Sequence, residues 1–568
     1  MSPQPPPPPD ISGRIDAALQ ERAQREQQGQ FMNFVNRYGL NLLFPAQVIP
    51  KDTDSSSNKT TKSIKTNKDL INARLLENGI LFEDLQSLPQ LQEGVAQSVD
   101  NLMRTQAFHS VQIEIDKNPG YVGSGRNISG VENSDNETEN TIPIIQQQLD
   151  TTADDYSATH PHLLKVILDE KNWYSLYIGG GIKHEGMEEA MSSSGSKLPK
   201  AQFETSVTFP NLTGYLDRTL FQYTVDQTTT SRFLLSHERP LYSWFPEDSA
   251  ISQNILATLK GSQYSLGIRA LVDTVDYESS RSYKEYQRLV QWRLDNTGNV
   301  AQPQMAPGLY WGIDWTLGCL RDVVPRKHPT LPYAADASPE IVAQSGSSLQ
   351  HSLKWEVRTN GSLTDDKFQP TVGVDAYFEA EVAGPPGDVG YAKAQGGNSI
   401  HVPLSEYLSL HATCAGGILR DLSFNGLCRS PTISDRFFVG GPMQLRGFLP
   451  AGIGPRSKRG GKTTPGGDAM GGNLFYTASL AASMVPPSGI LADYGIRLFA
   501  FGNAGTLVGT HQNIGLLQIA KSTRASAGFG ISGGTPMGRV ELTYAWPLRY
   551  GPRDARRNLQ FGFGLSYG

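Results

Sequence analysis

The strongest constraint on the fold is a two-residue alternation of apolar and polar side chains, which recurs from about residue 173 to the end of the chain. In the stretch 347–357 (SSLQHSLKWEV), aliphatic and aromatic side chains occupy every second position, and amide, hydroxyl and charged groups lie between them. Because successive side chains of a strand point to opposite faces, this pattern predicts a β-strand with one apolar and one polar face. The same pattern occurs in 309–317, 372–382, 540–546 and 559–567.

Two architectures accommodate such strands, a soluble β-sandwich and a membrane-spanning barrel. Many of the apolar faces end in Trp or Tyr, which is typical of the aromatic girdles of transmembrane barrels, and no helix is predicted between the strands. Turn signals divide the region into about sixteen strands, an even number like that of single-chain outer-membrane barrels. The sequence therefore predicts a transmembrane β-barrel of about 16 antiparallel strands, preceded by one small α+β domain.

The composition agrees with this prediction. No stretch of ~20 apolar residues is available for a transmembrane helix, yet 38% of the residues are hydrophobic, which fits strands with one face toward lipid and one toward a polar lumen. A net charge of −5 argues against binding to nucleic acid, and three cysteines are too few for a disulfide scaffold. The N-terminus (MSPQPPPPPD) has no basic segment followed by an apolar one, so no secretory signal is predicted.

The chain is predicted to have three parts. Residues 1–40 are a proline run followed by a polar, helix-forming lead, and residues 41–172 form the small α+β domain, with long polar inserts at 51–68 and 118–157. Residues 173–568 form the barrel, interrupted by a long loop at 430–470. Within the small domain, the apolar patterns predict strands at 45–49, 108–116 and 163–170 and a helix marked by Leu91, Val95, Val99 and Leu102.

The loop carries the most specific motif, the segment 435–448 (DRFFVGGPMQLRGF) followed by LPAGIGPR. This segment resembles the BAM/SAM superfamily of β-barrel assembly proteins, whose hallmark is an (L/I/V)RG(F/Y) motif on a loop folded back into the barrel lumen. The resemblance covers residues ~40–568, and it is greatest to the mitochondrial branch, the sorting and assembly machinery (SAM), in which a single POTRA-like domain (polypeptide-transport-associated) precedes the barrel. It implies that the loop lies between strands 11 and 12.

The resemblance also assigns candidate site residues. The motif itself is Leu445, Arg446, Gly447 and Phe448, and its flank is Asp435, Arg436, Phe437, Gly440 and Gly441. Candidates for contact between barrel and loop are Gly471, Gly472 and Asn473, which open the strand after the loop, and Asn503 and Gly505, which follow the next strand. The family often has an acidic residue where this chain has Asn503. Arg446 suits the anchoring of a loop in a polar lumen, since its guanidinium offers five donors in a rigid fork.

Two further segments would form the seam between the first and last strands. The first strand contributes Trp173, Ser175, Tyr177, Gly179, Gly180 and Gly181. The chain ends in QFGFGLSY, whose Gln560, Gly562, Leu565 and Tyr567 resemble the β-signal of mitochondrial barrel precursors. Glycines on both sides of the seam are expected to weaken strand pairing.

The resemblance implies a non-enzymatic insertase, integral to the mitochondrial outer membrane, that templates the terminal strand of a β-barrel precursor at this seam. It implies membrane lipid, unfolded barrel precursors and metaxin-like receptors on the cytosolic face as partners, and it places the POTRA-like domain in the intermembrane space. The missing secretory signal fits import without a cleaved signal. The alternatives are a passive channel or a protein-translocating pore of the same superfamily, and a relative in the plastid envelope.

Enzymatic functions are disfavoured by local context. The segment 528–534 (GFGISGG) matches both GxGxxG and GxSxG, but each motif requires a following helix, and a second predicted strand follows instead. The ten histidines show no HExxH or paired spacing. No cofactor and no metal site are expected, and a soluble hydrolase on a β-sandwich is the remaining alternative of a different class.

Overall fold

The computed structural model divides the chain into two compact units, Met1–Lys171 and Asn172–Gly568. It describes residues 46–50, 65–68, 71, 88–117, 162–182, 201–226, 231–241, 264–296, 308–327, 336–458, 466–487, 494–509, 516–535 and 538–564. The lead 1–40 and almost all of the two polar inserts lie outside these residues.

The first unit contains a three-stranded sheet and a helix. The sheet order is β1-β3-β2, with β3 parallel to β1 and antiparallel to β2. Helix α1 packs against β2, and its Leu102 is fully buried. These elements confirm the strands and the helix that the sequence predicts here. Their bounds are β1 Ala46–Pro50, α1 Leu88–Arg104, β2 Phe108–Lys117 and β3 His162–Glu170.

The second unit is a single 16-stranded sheet in which every strand pairs antiparallel with its neighbours in sequence, from β4 to β19. Its strands are β4 Ser175–Ile182, β5 Ala201–Pro210, β6 Arg218–Asp226, β7 Ser231–Pro240, β8 Ser265–Asp276, β9 Tyr283–Asp295, β10 Tyr310–Pro325, β11 Gly346–Arg358, β12 Gly373–Ala383, β13 Tyr391–Pro403, β14 Leu408–Asp421, β15 Leu474–Met484, β16 Arg497–Val508, β17 Arg524–Thr535, β18 Gly538–Arg549 and β19 Leu559–Gly564.

The faces of this sheet identify it as a barrel with an apolar exterior. In β18, Tyr544 and Trp546 are exposed, whereas Glu541, Thr543 and Ala545, which alternate with them, are buried. Along β11, Leu353 and Trp355 are likewise exposed and Ser352 and Glu356 are buried, so apolar groups point outward and polar groups point into the interior. A soluble sandwich buries its apolar faces instead, and this inversion confirms the transmembrane barrel that the sequence predicts.

In the described connections between barrel strands lie three short α-helices, where the sequence predicts none: α2 Glu278–Arg281, α3 Pro339–Ala343 and α4 Leu516–Ser522. The expectation of a barrel without intervening helices was therefore wrong. Segments of one or two turns are too short to show a 3.6-residue periodicity, which explains the miss. Among the described residues, no helix has the length and apolar character needed to cross a membrane.

Candidate functional site: a lumenal loop and a seam

The loop that carries the motif leaves β14 after Asp421 and enters β15 at Leu474. With β4 as the first barrel strand, β14 and β15 are the eleventh and twelfth, the position that the family resemblance implies. We call residues 422–473 the lumenal loop, because side chains from strands β9 to β19 surround it. The inner wall formed by β9 to β19 therefore surrounds this segment.

An apolar core inside the lumen holds the centre of the loop. Leu445 and Phe448 of the motif are fully buried, and the core joins loop residues to the inner wall of β14, β15 and β16. Its members are Leu419, Phe437, Val439, Leu445, Phe448, Ile453, Phe475 and Leu507. In a polar lumen these apolar side chains leave water only by packing against one another. Their packing therefore fixes the position of the motif.

Arg446 forms the main electrostatic contact of the loop, with Glu541 on the inner face of β18. Its Nε lies 3.2 Å from Oε2, and its Nη2 lies 3.1 and 2.8 Å from the two carboxylate oxygens. Glu541 is 1% exposed and also lies 2.6 Å from the Nε of Arg539. The Arg446 guanidinium further sits over the Phe501 ring at 5.1 Å. One buried carboxylate thus serves two guanidinium groups, which leaves little freedom for the loop.

Asn503 contacts the backbone of the motif rather than its charged group. With its amide oriented to satisfy both polar atoms, its oxygen accepts the Arg446 backbone N–H at 2.7 Å. The neighbouring Ser526 hydroxyl donates to the Arg446 carbonyl oxygen. The carboxylate that pairs with Arg446 is that of Glu541, two strands nearer the end of the sheet than Asn503.

Gly447 is required by both its conformation and its surroundings. Its φ is +89°, in the left-handed region, and a Cβ there would lie 3.1 Å from the Cβ of Ser526. Its N–H donates to Oε1 of Gln560 at 2.7 Å, and the Gln560 amide donates to the Phe448 carbonyl at 2.7 Å. A residue with a side chain would push the loop away from the wall at this point.

The flank of the motif anchors the base of the loop to the opposite wall. Asp435 is buried and accepts from Arg321 of β10 at 2.5 Å, while Lys393 of β13 donates to its carbonyl oxygen at 3.0 Å. Arg436 donates to the carbonyl of Met470 at 3.2 Å, and Phe437 packs against Phe475 with ring centroids 4.8 Å apart.

The glycines that the family resemblance singles out make close contacts around the loop. Gly440 and Gly441 both have positive φ, and a Cβ on Gly440 would lie 2.1 Å from the Leu449 carbonyl. Gly471 and Gly472 run beside Phe437, and Gly472 exchanges two backbone hydrogen bonds with it at 2.9 and 3.0 Å.

Asn473 and Gly505 continue this packing on the barrel wall. The Asn473 N–H donates to Val508 at 2.8 Å and its carbonyl accepts from Leu419 at 2.7 Å. Asn503 and Gly505 lie inside β16 and not after a strand, so that expectation was wrong. Within this strand, Gly505 leaves room for Leu445 of the motif, since a Cβ at this position would lie 3.3 Å from the Leu445 Cδ1.

The returning arm of the loop is fixed by a carboxylate that the sequence did not single out. Asp468 is fully buried and accepts from the Ser282 hydroxyl at 2.6 Å and from the Ser338 backbone N–H at 2.8 Å. Nearby, burial lowers the pKa of the Arg456 guanidinium, and the carboxylates of Asp554 and Asp468 oppose that shift. Asp468 therefore ties the lumenal loop to two other interstrand connections.

The first strand of the seam, β4, is exposed on both faces. Trp173 and Ile178 are each 62% exposed and Tyr177 is 58% exposed. Ser175, Gly179, Gly180 and Gly181 pair with β5 through a regular ladder. β4 and β19 end the sheet order, and the described residues contain no ladder between them.

The last strand, β19, is exposed on one face only. Leu559 is exposed, whereas Gln560 and Gly562 are buried against the lumenal loop. Leu565 and Tyr567 of the β-signal-like pattern lie outside the described residues. The two strands that flank the seam thus differ in how they are held.

The described part of the site is held together by hydrogen bonds and ion pairs. The described residues contain no group of three or more His, Cys, Asp or Glu side chains placed to hold a metal. The site combines a strand, β4, that has one ladder among the described residues with a buried network of ion pairs on β18 and the lumenal loop. The sequence pattern placed Glu541 and Gln560 on the polar face of their strands, but nothing local marks them as partners of a loop about a hundred residues away.

Comparison with known proteins agrees with this architecture. A family model described as the Omp85 superfamily domain matches residues 211–567. A SAM50-like protein of Schizosaccharomyces pombe is 29% identical over 245 residues, which cover 41% of this chain and 47% of the relative. The sorting assembly machinery 50 kDa subunit of Saccharomyces cerevisiae is 32% identical over 167 residues, which cover 28% of this chain and 32% of that protein. The chain thus spans half or less of these curated relatives.

Among solved structures, the fold is similar to that of BamA from Haemophilus ducreyi lacking POTRA domains 1–3. The TM-score is 0.59 at 16% identity, with 91% of this chain and 84% of that chain covered. At this identity the likeness shows the fold alone. The family model, in contrast, takes in more than half of the chain, and the chain accordingly belongs to the Omp85 superfamily.

Proposed function

We propose that the chain is a non-enzymatic insertase, which folds β-barrel precursors and inserts them into the mitochondrial outer membrane. The observation that carries this proposal is the seam, where β4 has one neighbour among the described strands and is exposed on both faces. The names of the relatives, which are sorting and assembly machinery subunits, support the same function.

The unpaired edge of β4 provides the binding site for a precursor. An exposed strand edge presents N–H and C=O groups that pair with any extended segment, and an incoming terminal strand adds to it by β-augmentation. The three consecutive glycines of β4 weaken its own packing, since they add no side-chain contact to neighbouring strands. The main-chain bonds supply affinity, and the alternating side chains supply selectivity.

The lumenal loop keeps the rest of the barrel in register while this edge is used. Arg446, Gly447 and Phe448 connect it to β15–β19, and Asp435 connects it to β10 and β13. We propose that residues 41–172 are a POTRA-like domain in the intermembrane space, and that metaxin-like subunits bind on the cytosolic face. No cofactor is required, because strand exchange makes and breaks only hydrogen bonds.

The alternative function is a passive or protein-translocating channel of the same superfamily. Barrels of this strand number leave a wide aqueous channel when they are unobstructed, but here the lumenal loop occupies the interior beside β9 to β19. Between the loop tip at Met443 and Gln444 and the wall residues Arg358 and Glu379, a polar cavity of about 460 Å³ remains.

A second connection lies in the opposite mouth of the lumen. Residues 359–372 join β11 to β12, and their tip reaches β16 and β17. The Pro370 carbonyl accepts from Arg497 at 3.2 Å, and Gln369 packs against Gly534, where a Cβ would lie 3.2 Å from its Cγ. Two internal segments therefore favour the insertase over an open pore.

Site-specific crosslinking during insertion tests the proposal. Single cysteines at Ser175 and Gly180, in a Cys414→Ser background that removes the exposed native thiol, are expected to crosslink to the last strand of a newly made barrel precursor. Cysteines on the inner wall, for example at Gln395, serve as the control. Crosslinks to the inner wall alone would support the channel and contradict the insertase.

A further inference from the structure

The inner face of the last strand is bound to the lumenal loop by one amide side chain. Gln560 is 4% exposed, and both ends of its amide are used. Its oxygen accepts the Gly447 N–H at 2.7 Å, and its nitrogen donates to the Phe448 carbonyl at 2.7 Å. An amide is the side chain that matches a backbone donor and acceptor together, because it carries one group of each kind.

The loop also contacts Gly562 of β19 and the connection that precedes this strand. A Cβ on Gly562 would lie 3.0 Å from Sδ of Met443 and 3.0 Å from Cβ of Pro442, so the loop lies flush against the strand. The connection contributes three backbone hydrogen bonds, from Leu449 to Ala555 at 2.9 Å, from Ala555 to Gly452 at 2.8 Å and from Arg557 to Gly447 at 3.0 Å.

The loop is also bound to β17 and β18, the strands that precede β19 in the sheet. Arg446 pairs with Glu541 on β18, and Ser526 on β17 donates to the Arg446 carbonyl. As a result β17, β18, β19 and the loop form one connected body. Removal of β19 from β18 would break the strand ladder and these lumenal contacts together.

β4 has no comparable attachment among the described residues. Its backbone pairs with β5 over eight positions, and the one side-chain hydrogen bond to it is a long one, from Thr205 to the Tyr177 carbonyl at 3.4 Å. Tyr177, on the lumenal face of the strand, is 58% exposed and folds over Gly179. The lumenal loop therefore packs against the inner face of β19, whereas the inner face of β4 is exposed at Tyr177.

We propose that Gln560 is a positioning residue, which locks the last strand to the lumenal loop so that only the β4 edge is offered to a precursor. This inference rests on the proposed insertase function and deepens it, because it names the contact that decides which side of the seam receives the incoming strand. The partner is an extended segment with unpaired backbone groups. β19 acts as the fixed side of the seam, and β4 acts as the mobile side.

Hydrogen–deuterium exchange of the purified full chain tests the lock without any substrate. In the unmodified protein, the amides of residues 559–564 are expected to exchange more slowly than those of residues 175–182. Gln560→Met keeps the length of the side chain and removes both hydrogen bonds, so exchange in 559–564 should become about tenfold faster. Exchange in 175–182 should not change.

A matched variant controls for the loss of a buried amide. Gln291 is 5% exposed on the inner face of β9, ten strands from β19 in the sheet order, so Gln291→Met should leave exchange in 559–564 unchanged. Heat-modifiable gel migration verifies that each variant is a folded barrel. Unchanged exchange in folded Gln560→Met, or slower exchange in β4 than in β19 of the unmodified protein, would overturn the lock.

Precursor crosslinking separates the lock from the insertase function. With cysteines at Ser175 on β4 or Phe561 on β19, the otherwise unmodified protein should crosslink to a precursor through β4 alone, and Gln560→Met should gain crosslinks at β19. Faster exchange in the variant with no crosslink at either edge would support the lock and contradict the insertase. Crosslinks confined to β4 in both proteins would contradict the lock and leave the insertase standing.

Discussion

The two strands that end the barrel sheet are similar in sequence and opposite in environment. β4 reads SLYIGGGI and β19 reads LQFGFG, so both combine aromatic side chains with glycine. The buried Gly562 allows the lumenal loop to approach the inner face of β19, whereas Tyr177 on the inner face of β4 is 58% exposed. Glycine content alone therefore does not define a weak strand. What distinguishes the two edges is whether a second layer packs against the inner face.

Removing the ion pairs that hold the lumenal loop to β18 should destabilise the protein most. Glu541→Ala leaves the guanidinium groups of Arg446 and Arg539 buried without their shared carboxylate, and should lower the free energy of unfolding by about 3–5 kcal/mol. Arg446→Ala should cost less, because Glu541 keeps its contact with Arg539 at 2.6 Å. Urea unfolding in lipid vesicles measures both values.

Whether Glu541→Ala lowers the free energy of unfolding more than Arg446→Ala tests the shared carboxylate. A double variant that lacks both side chains should be less destabilised than the sum of the two single variants, since the second removal deletes a charge that has already lost its partner. Equal costs for the single variants, or additive costs in the double variant, would contradict the network and weaken the contrast between the seam strands.

An intermediate effect is expected from the loop backbone. Gly447→Ala forces a side chain into a conformation with φ of +89° and brings a Cβ to 3.1 Å from Ser526. The unfolding free energy should fall by about 1–3 kcal/mol, and the Gly447–Gln560 hydrogen bond should lengthen.

Gly502 provides the matched control on the outer face of β16. A Cβ at this position would meet no heavy atom within 4 Å, so Gly502→Ala should change the unfolding free energy by less than about 0.5 kcal/mol. A similar loss in both variants would show that glycine in this sheet matters for backbone propensity and not for approach of the loop.

The smallest expected effect on stability lies on the mobile side. Tyr177→Ala removes a side chain that is 58% exposed, and should change the unfolding free energy by no more than about 0.5 kcal/mol. Precursor crosslinking at β4 should nevertheless decrease, because the side chain contributes to the surface that an incoming strand meets. A large loss of stability would show that β4 is held by contacts comparable to those of β19.

Patterns that act over a few residues predicted much of the architecture. The alternation in 347–357 and 540–546 identified strands and their faces, since the polarity of each side chain indicates the face on which it lies. The position of the lumenal loop followed from the family resemblance of the segment 435–448. The short helices α2, α3 and α4 were missed because they span too few residues to show a period.

The partners of the site residues were not predictable in the same way. Arg446 was identified from its motif, but its carboxylate is Glu541, 95 residues later, and Asn503 binds backbone instead. Asp468 joins the loop to Ser282, 186 residues earlier. Such pairs depend on how the closed barrel brings distant strands together, and one sequence carries no local signal of that closure.

Reversible closure of the seam tests whether a precursor enters between the first and last strands. Gly180 of β4 and Phe561 of β19 both lie on the outer face, and cysteines at these positions in a Cys414→Ser background allow a short, reducible crosslinker to join the strands. The crosslinked protein is expected to stay folded, to fail to insert a barrel precursor, and to regain insertion after reduction, whereas each single-cysteine protein remains active. Full insertion with the seam crosslinked would contradict entry of the precursor at the seam.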